Sequence, residues 1–353
     1  MPRRRNRYVS NSLSDLNSQR EIQENRGRHE YFNNNREARR YEGDRGRRIG
    51  NNPVDDSSGI NRLDLSSFER GYISEWITSN PQRSQSLYVD FDKPENKYIK
   101  PYNYKPEEFI FSKTNEDVDD KLLYIGTEIE IDCAGEIDDN AKYVIDNLKE
   151  CYTVHDGSLN NGFEIVTHPA TLGYHKQMNY KEVFQWLLDR GYRSHDTRTC
   201  GLHVHVNRDY LSENKTIQDL CITKILFLLE KYWNEITKIA RRSECNYSVK
   251  IKRDRDDDSL LDLLYKAKGN SGYFSNAKYN CLNLLHKNTI EFRIFKGTLK
   301  YETYIATLEF VKNIVDISKR VPLEEIQLVT FEGIINANET EYLMSYLEER
   351  NIK

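Results

Sequence analysis

Nowhere does the sequence hold an apolar run near the roughly eighteen residues that a membrane-spanning helix needs, so no membrane role is expected. Cysteine occurs six times, at Cys133, Cys151, Cys200, Cys221, Cys245 and Cys281, and never in CxxC spacing. That excludes a zinc ribbon or dithiol redox motif and fits free thiols in a reduced, cytoplasmic setting. A GxxxxGK[ST] loop is missing, which excludes a P-loop enzyme. The Arg-rich start lacks the apolar stretch of a secretory signal, and its acids argue against a transit peptide. Lysine is absent from the first fifty residues, where thirteen arginines face seven acids and leave a charge of about +6. The whole chain carries −4, so the remainder is acidic by about −10.

This asymmetry divides the 353-residue chain. Residues 1–60 are rich in Arg, Asn, Ser and Gly and poor in aliphatics, too apolar-poor to offset chain entropy, and read as a disordered arm. Its charge suits nucleic acid through phosphate contacts, the alternative being a solubilising or packing tail. Residues 61–120 read as an extended docking or linker segment, in which Pro101–Pro106 and Phe109-Ile110-Phe111 would set aromatics on the core. Residues 121–353 are long enough for a substantial core of their own.

Within that core, period-two alternation predicts strands over 122–132, 151–156, 163–167, 202–207, 279–286 and 289–295, the last two joined by a hairpin at Lys287-Asn288. Helical spacing predicts helices over 174–190, 214–241, 259–267, 301–319 and 339–350. Paired strands with helices between them point to an α+β fold with a mostly antiparallel sheet. There is no internal repeat.

Three of those strands carry one pattern, an apolar residue between two polar, ligand-type residues: Glu128-Ile129-Glu130, His203-Val204-His205 and Glu291-Phe292-Arg293. Side chains alternate faces along a strand, so both polar members of each triplet point the same way. Glu128 and Glu130 would stand about 7 Å apart, which suits two neighbouring cations rather than one. Asp156, leaving one strand, and Glu164, starting the next, would converge across a turn. The plainer alternative has Asp156 capping the Gly157-Ser158 turn. Two imidazoles on one strand face form a common metal-ligand arrangement, and a structural Glu–Arg pair is the bland reading of the third triplet. Lys296 falls on the opposite parity to Arg293. Oxygen-rich ligation with few imidazoles favours Mg²⁺ or Mn²⁺ over structural zinc. Cations beside an arginine are what phosphoryl transfer from a nucleotide requires.

The order of these motifs is specific. Gly126-Thr127-Glu128-Ile129-Glu130, Asp156-Gly157-Ser158 with Gly162 to Pro169, Cys200-Gly201-Leu202-His203-Val204-His205 and Asn288 to Thr298 together resemble the amidoligase family. These are carboxylate–amine ligases related to glutamine synthetase and glutamate–cysteine ligase. The resemblance covers about 120–320 and leaves 1–100 outside. It implies a curved, roughly barrel-like, mostly antiparallel sheet of the glutamine-synthetase type with flanking helices, and makes 121–353 a ligase-like catalytic domain. It implies ATP and two Mg²⁺ or Mn²⁺ ions, one held by Glu130, Asp156 and Glu164, the other by Glu128, His203 and Glu291. Asp156 stands where glutamine synthetase has a longer glutamate. His205 and Arg293 would contact phosphates. The implied reaction phosphorylates an acid to an acyl phosphate, which an amine attacks to give an amide or isopeptide bond. Acid and amine substrates include ones carried on a peptide or a cell-wall precursor. The family's frequent phage and mobile-element setting adds virion association as a second location. Two rival classes fit the same residues. One is a non-catalytic phage, virion or scaffold protein whose arm binds nucleic acid or protein. The other is a metal-dependent hydrolase that uses the same acids and histidines without ATP.

Overall fold

A computed structural model describes residues 97–352, except 108, 113–121, 256–257, 270–276 and 339. The expected arm, and most of the segment 61–120, lie outside the described residues, and with them the expectation of nucleic-acid binding. Among the described residues no helix is long and apolar enough to cross a membrane, and all six cysteines are free thiols.

The fold is α+β. Its seven strands are β1 (Ile99–Lys100), β2 (Ile125–Ile131), β3 (Cys151–Val154), β4 (Phe163–Thr167), β5 (Gly201–Asn207), β6 (Leu282–Asn283) and β7 (Thr289–Lys296). They form one sheet in the order β1-β3-β4-β2-β5-β7-β6. Only β1 and β3 run parallel; the remaining pairs are antiparallel. Among the described residues the order runs from β1 to β6 with no closing pair, so the sheet is open rather than barrel-like.

Alternation in sequence becomes alternation in space. On the back face Ile125, Ile129 and Ile131 of β2, Phe163 and Ile165 of β4 and Leu202, Val204 and Val206 of β5 are fully buried. The helices are α1 (Asp138–Asn147), α2 (Leu172–His175), α3 (Tyr180–Asp189), α4 (Arg208–Leu211), α5 (Lys215–Lys231), α6 (Trp233–Ala240), α7 (Leu260–Ala267), α8 (Tyr301–Arg320), α9 (Phe331–Ile335) and α10 (Glu341–Glu349). From Tyr301 to Ser318, α8 is buried on every side except at Glu302 and Lys312, the pattern of a helix through the core. Its Phe310 ring meets Phe295 of β7 edge-on, with centroids 6.3 Å apart.

A hydrogen-bonded relay ties α8 to the strand that carries the acids. Thr127 on β2 meets the Tyr304 hydroxyl at 2.9 Å, and Tyr304 donates to the Tyr180 hydroxyl at 2.9 Å. Tyr180 lies 2.8 Å from His175 Nδ1, and His175 Nε2 lies 2.8 Å from the Ile125 carbonyl at the start of β2. The carbonyl fixes Nε2 as a donor, and a neutral imidazole that accepts from Tyr180 at Nδ1 fits the relay. Burial pushes the His175 pKa down to about 4, against a smaller upward pull from the Ile125 carbonyl. An unfolded imidazole takes its proton near 6.5. Above that pH both states are neutral. Below it the unfolded chain binds a proton that the native state refuses, so stability falls as pH drops from about 6.5 to about 4. The expected loss is roughly 2–3 kcal/mol between pH 7.5 and 4.5. Urea unfolding of wild type and His175→Gln at both pH values checks this; an equal pH-dependence in the two proteins would remove His175 from the explanation.

Several elements depart from the sequence expectation, among them the helix expected over 174–190, which divides into α2 and α3. The helix expected over 214–241 breaks at Tyr232, which leaves helical geometry while its hydroxyl donates to the Val329 carbonyl. The strand expected over 279–286 shrinks to β6, preceded by a 3₁₀ turn at Ala277–Tyr279. Arg208 is the physical reason: its guanidinium takes the carbonyls of Leu284, His286 and Thr289, holding 284–289 as a loop. Neither α1 nor β1 was evident in the sequence; α1 buries only Ala141 and Val144, while its Asp138 accepts from the backbone of Tyr98 and Ile99. Beyond β1, Tyr104 packs on Tyr152, Phe109 on His168 and Phe111 on Tyr174.

Candidate active site

The front of the sheet is built by register. Opposite Glu128 on β2 stands His203 on β5, opposite Glu130 stands Glu164 on β4, and opposite His205 stands Glu291 on β7. Directly opposed residues of antiparallel strands share a face, so six of the eight predicted site residues converge from four strands. His203 Nδ1 lies 2.8 Å from Glu128 Oε2 and 3.6 Å from Glu291 Oε1. His203 Nε2 is 3.7 Å from Glu130, and His205 Nε2 is 3.0 Å from Glu128 Oε1. Asp156 follows β3. One of its oxygens accepts from the Ser158 backbone at 2.7 Å, the Asx-turn alternative, while the side chain still reaches Glu130 and Glu164.

Three trios bring one ligand atom from each residue within 4.8 Å of one another: Glu130, Asp156 and Glu164; Glu128, Glu164 and His203; His205, His286 and Glu291. The first is the set that the resemblance assigned to one cation. For the other cation the resemblance paired Glu128 and His203 with Glu291, whereas here Glu164 is close enough to serve both centres. Glu291 turns one oxygen toward His203 and the other toward His286.

Electrostatics follows from this crowding. Burial pushes the Glu164 carboxyl well above the usual range, and the charges of Glu128, Glu130, Asp156 and Glu291 push it further. Burial also raises Glu130, against the pull of His203 and of the Gly201 amide that donates to it. Burial alone would raise Glu128, but His205 and His203 outweigh it and hold the carboxyl well below the usual range. Burial would raise Glu291 as well, yet the His286 hydrogen bond and the charge of His205 bring it to about 2. Carboxylates held this close, some pushed up and some down, form an electrostatically unbalanced centre, as expected of a functional site.

Arg293 donates to Glu291 Oε1, and its buried Nε has no partner among the described residues. Arg293 lies at a bulge. Leu202 pairs with Phe295 but Val204 pairs with Phe292, so β7 has one residue more than β5 across this step. A bulge re-aims the side chains beyond it. Phe295 consequently joins the apolar back, and Lys296, opposite Gly201, returns to the front. The parity expected for Lys296 is therefore corrected: it lines a cavity of about 450 Å³ with Arg198, Arg241 and Arg242 beside the Glu130 end of the site.

Sequence reasoning also missed His286 and Asn283. Asn283 donates to Glu291 Oε2 at 2.7 Å, and His286 Nε2 stands 2.9 Å from the same oxygen. His286, expected at the end of the strand over 279–286, instead sits in a loop, where alternation assigns no face.

A family model described as "Putative amidoligase enzyme" matches residues 137–315, just over half of the chain. The chain belongs to the amidoligase family. The matched span holds β3, β4, β5, β6 and β7, hence Asp156, Glu164, His203, His205, Glu291 and Arg293; Glu128 and Glu130 precede it. No curated protein matches this amidoligase. Among solved structures, the complex between the prokaryotic ubiquitin-like protein Pup and its ligase PafA is similar at 9% identity with a TM-score of 0.31. The alignment covers 65% of this chain and 58% of that one, so the amidoligase spans less than two thirds of its length.

Proposed function

We propose that this amidoligase is an ATP-dependent carboxylate–amine ligase that forms an amide or isopeptide bond through an acyl-phosphate intermediate. The observation that carries the reading is the convergence of Glu128, Glu130, Asp156, Glu164, His203 and Glu291 on one sheet face, with Arg293 fixed among them. Membership of the family supplies the reaction class. The donor set fits two hard divalent cations, Mg²⁺ or Mn²⁺: most ligand atoms are oxygens, and a centre with this much crowded carboxylate gains from a divalent charge. Glu130, Asp156 and Glu164 would hold one ion, and Glu128, His203 and Glu291, with Glu164 within reach, the other. Such ions offset charge on a transferring phosphoryl group.

The remaining work falls to the chain's own side chains. Arg293 offers a phosphate oxygen its Nε, which has no partner among the described residues, and a guanidinium stays charged throughout the reaction. His205, 3.0 Å from Glu128 and partly exposed, faces the same space and would bind phosphate beside it. Asn283 and His286 hold Glu291 in place from behind. The acid and amine substrates include ones on a peptide chain.

Incubation with ATP, Mg²⁺ and a panel of acids and amines, followed by mass spectrometry, tests the reading. Expected is an amide product formed one-for-one with ADP. Hydrolysis of an amide without ADP would move the protein to the hydrolase class, and no turnover with any pair to the scaffold class.

A further inference from the structure

We propose a third cation site at the rim of the sheet, formed by His205, His286 and Glu291 and selective for a divalent transition ion such as Co²⁺, Zn²⁺ or Mn²⁺ over Mg²⁺. The donors differ in kind from those of the two acid-built centres. Two imidazole nitrogens and one carboxylate suit borderline ions, whereas Mg²⁺ demands oxygens and keeps its water. Their ligand atoms already lie within 4.8 Å of one another. The imidazole rings of His205 and His286 stand 5.1 Å apart at 72°, so they approach the shared space from different directions.

The supporting contacts show that His286 is presented rather than left hanging. Arg208 is 92% removed from solvent, at 8% exposure, yet makes no ion pair among the described residues. It spends its guanidinium on the loop that carries His286, donating to Leu284 at 2.7 Å, His286 at 3.1 Å and Thr289 at 2.9 Å. Its own backbone amide donates to Asn288 at 2.9 Å, and Gln218 bonds its carbonyl at 3.0 Å. Asn283, 4% exposed, ties the same loop through the Leu285 amide while donating to Glu291 Oε2. His205 Nδ1 lies 3.4 Å from Thr289 Oγ1 and its Nε2 lies 3.0 Å from Glu128 Oε1, so the ring is held from both edges between the inner acids and this rim. Outer contacts of this kind orient metal ligands. His286 itself is 44% exposed, which leaves an ion a path in. Glu291, with one oxygen toward His203 and the other toward His286, would bridge this site to the inner one.

The proposal does not rest on the ligase reading, and its test uses no nucleotide. The full chain is titrated with Co²⁺ by calorimetry and visible absorption in excess Mg²⁺, which occupies the oxygen-rich centres. Wild type should retain at least one Co²⁺ that Mg²⁺ does not displace. His286→Ala should bind one Co²⁺ fewer or bind it at least about tenfold more weakly, with unchanged circular dichroism. His286→Gln, which keeps polarity but not the imidazole, should behave like alanine. Equal Co²⁺ stoichiometry and affinity in wild type and both variants, or displacement of every Co²⁺ from wild type by Mg²⁺, would overturn it. Neither result bears on whether amide formation occurs.

Discussion

Arg293→Ala should reduce ATP-dependent amide formation by about 10²–10³-fold, the usual effect of removing one preorganised charge donor, with little change in thermal stability. Alternation along β7 puts Arg293 on the face of Glu291, which anchors one end of its guanidinium. Its Nε is buried without a partner among the described residues. A buried donor left unmade costs free energy, and a phosphate oxygen would relieve that cost only while nucleotide is bound. Glu291 keeps Asn283 and His286 as partners when Arg293 is removed, so the fold should tolerate the change. The effect should fall on kcat more than on KM, because the charge being offset develops in the transition state. Arg293→Lys should restore little, since an ammonium lacks the fork. Lys296 cannot serve as the inert control, because it faces the same side of the sheet. Lys142, an exposed helical residue paired with Asp146, is the better one. Full turnover in Arg293→Ala would take the residue out of the mechanism.

Much of the site was legible because a strand's parity is rigid. Once Glu128-Ile129-Glu130 and His203-Val204-His205 are read as strands, each pair must share a face. What parity could not give was register between strands. That Glu128 meets His203 while Glu130 meets Glu164 depends on how β2 sits between β4 and β5, which no local pattern encodes. The bulge shows the same limit. Alternation predicted Glu291 and Arg293 correctly as neighbours on one face, then failed at Lys296, where one extra residue reverses parity. His286 was invisible for another reason. Its position depends on Arg208, a distant residue whose buried guanidinium fixes a loop through backbone carbonyls, and carbonyls carry no sequence signal. The helices fared better in type than in extent: the apolar spacing of 214–241 is real, but Tyr232 ends one helix and the next begins immediately.

Glu164→Gln should abolish the stabilisation that divalent ions give, and should make the metal-free protein at least as stable as wild type. Glu164 is the one carboxylate common to the two acid-built trios, so its loss weakens both centres together. It is also crowded: only 5% exposed, it faces Glu128, Glu130, Asp156 and Glu291. Without cations that crowding destabilises the fold, since like charges held together in a poorly solvated place repel or force protonation. An amide of nearly the same shape removes the repulsion and keeps the packing. With Mg²⁺ the order reverses. Wild type gains about 2.7 kcal/mol per ion at a hundredfold excess over its dissociation constant, and the variant gains little. Thermal unfolding of both proteins with and without Mg²⁺ separates the possibilities. A wild-type Mg²⁺ shift surviving in Glu164→Gln would mean that the ions do not share this carboxylate. A variant less stable than wild type without metal would mean that Glu164 holds the fold through contacts other than charge.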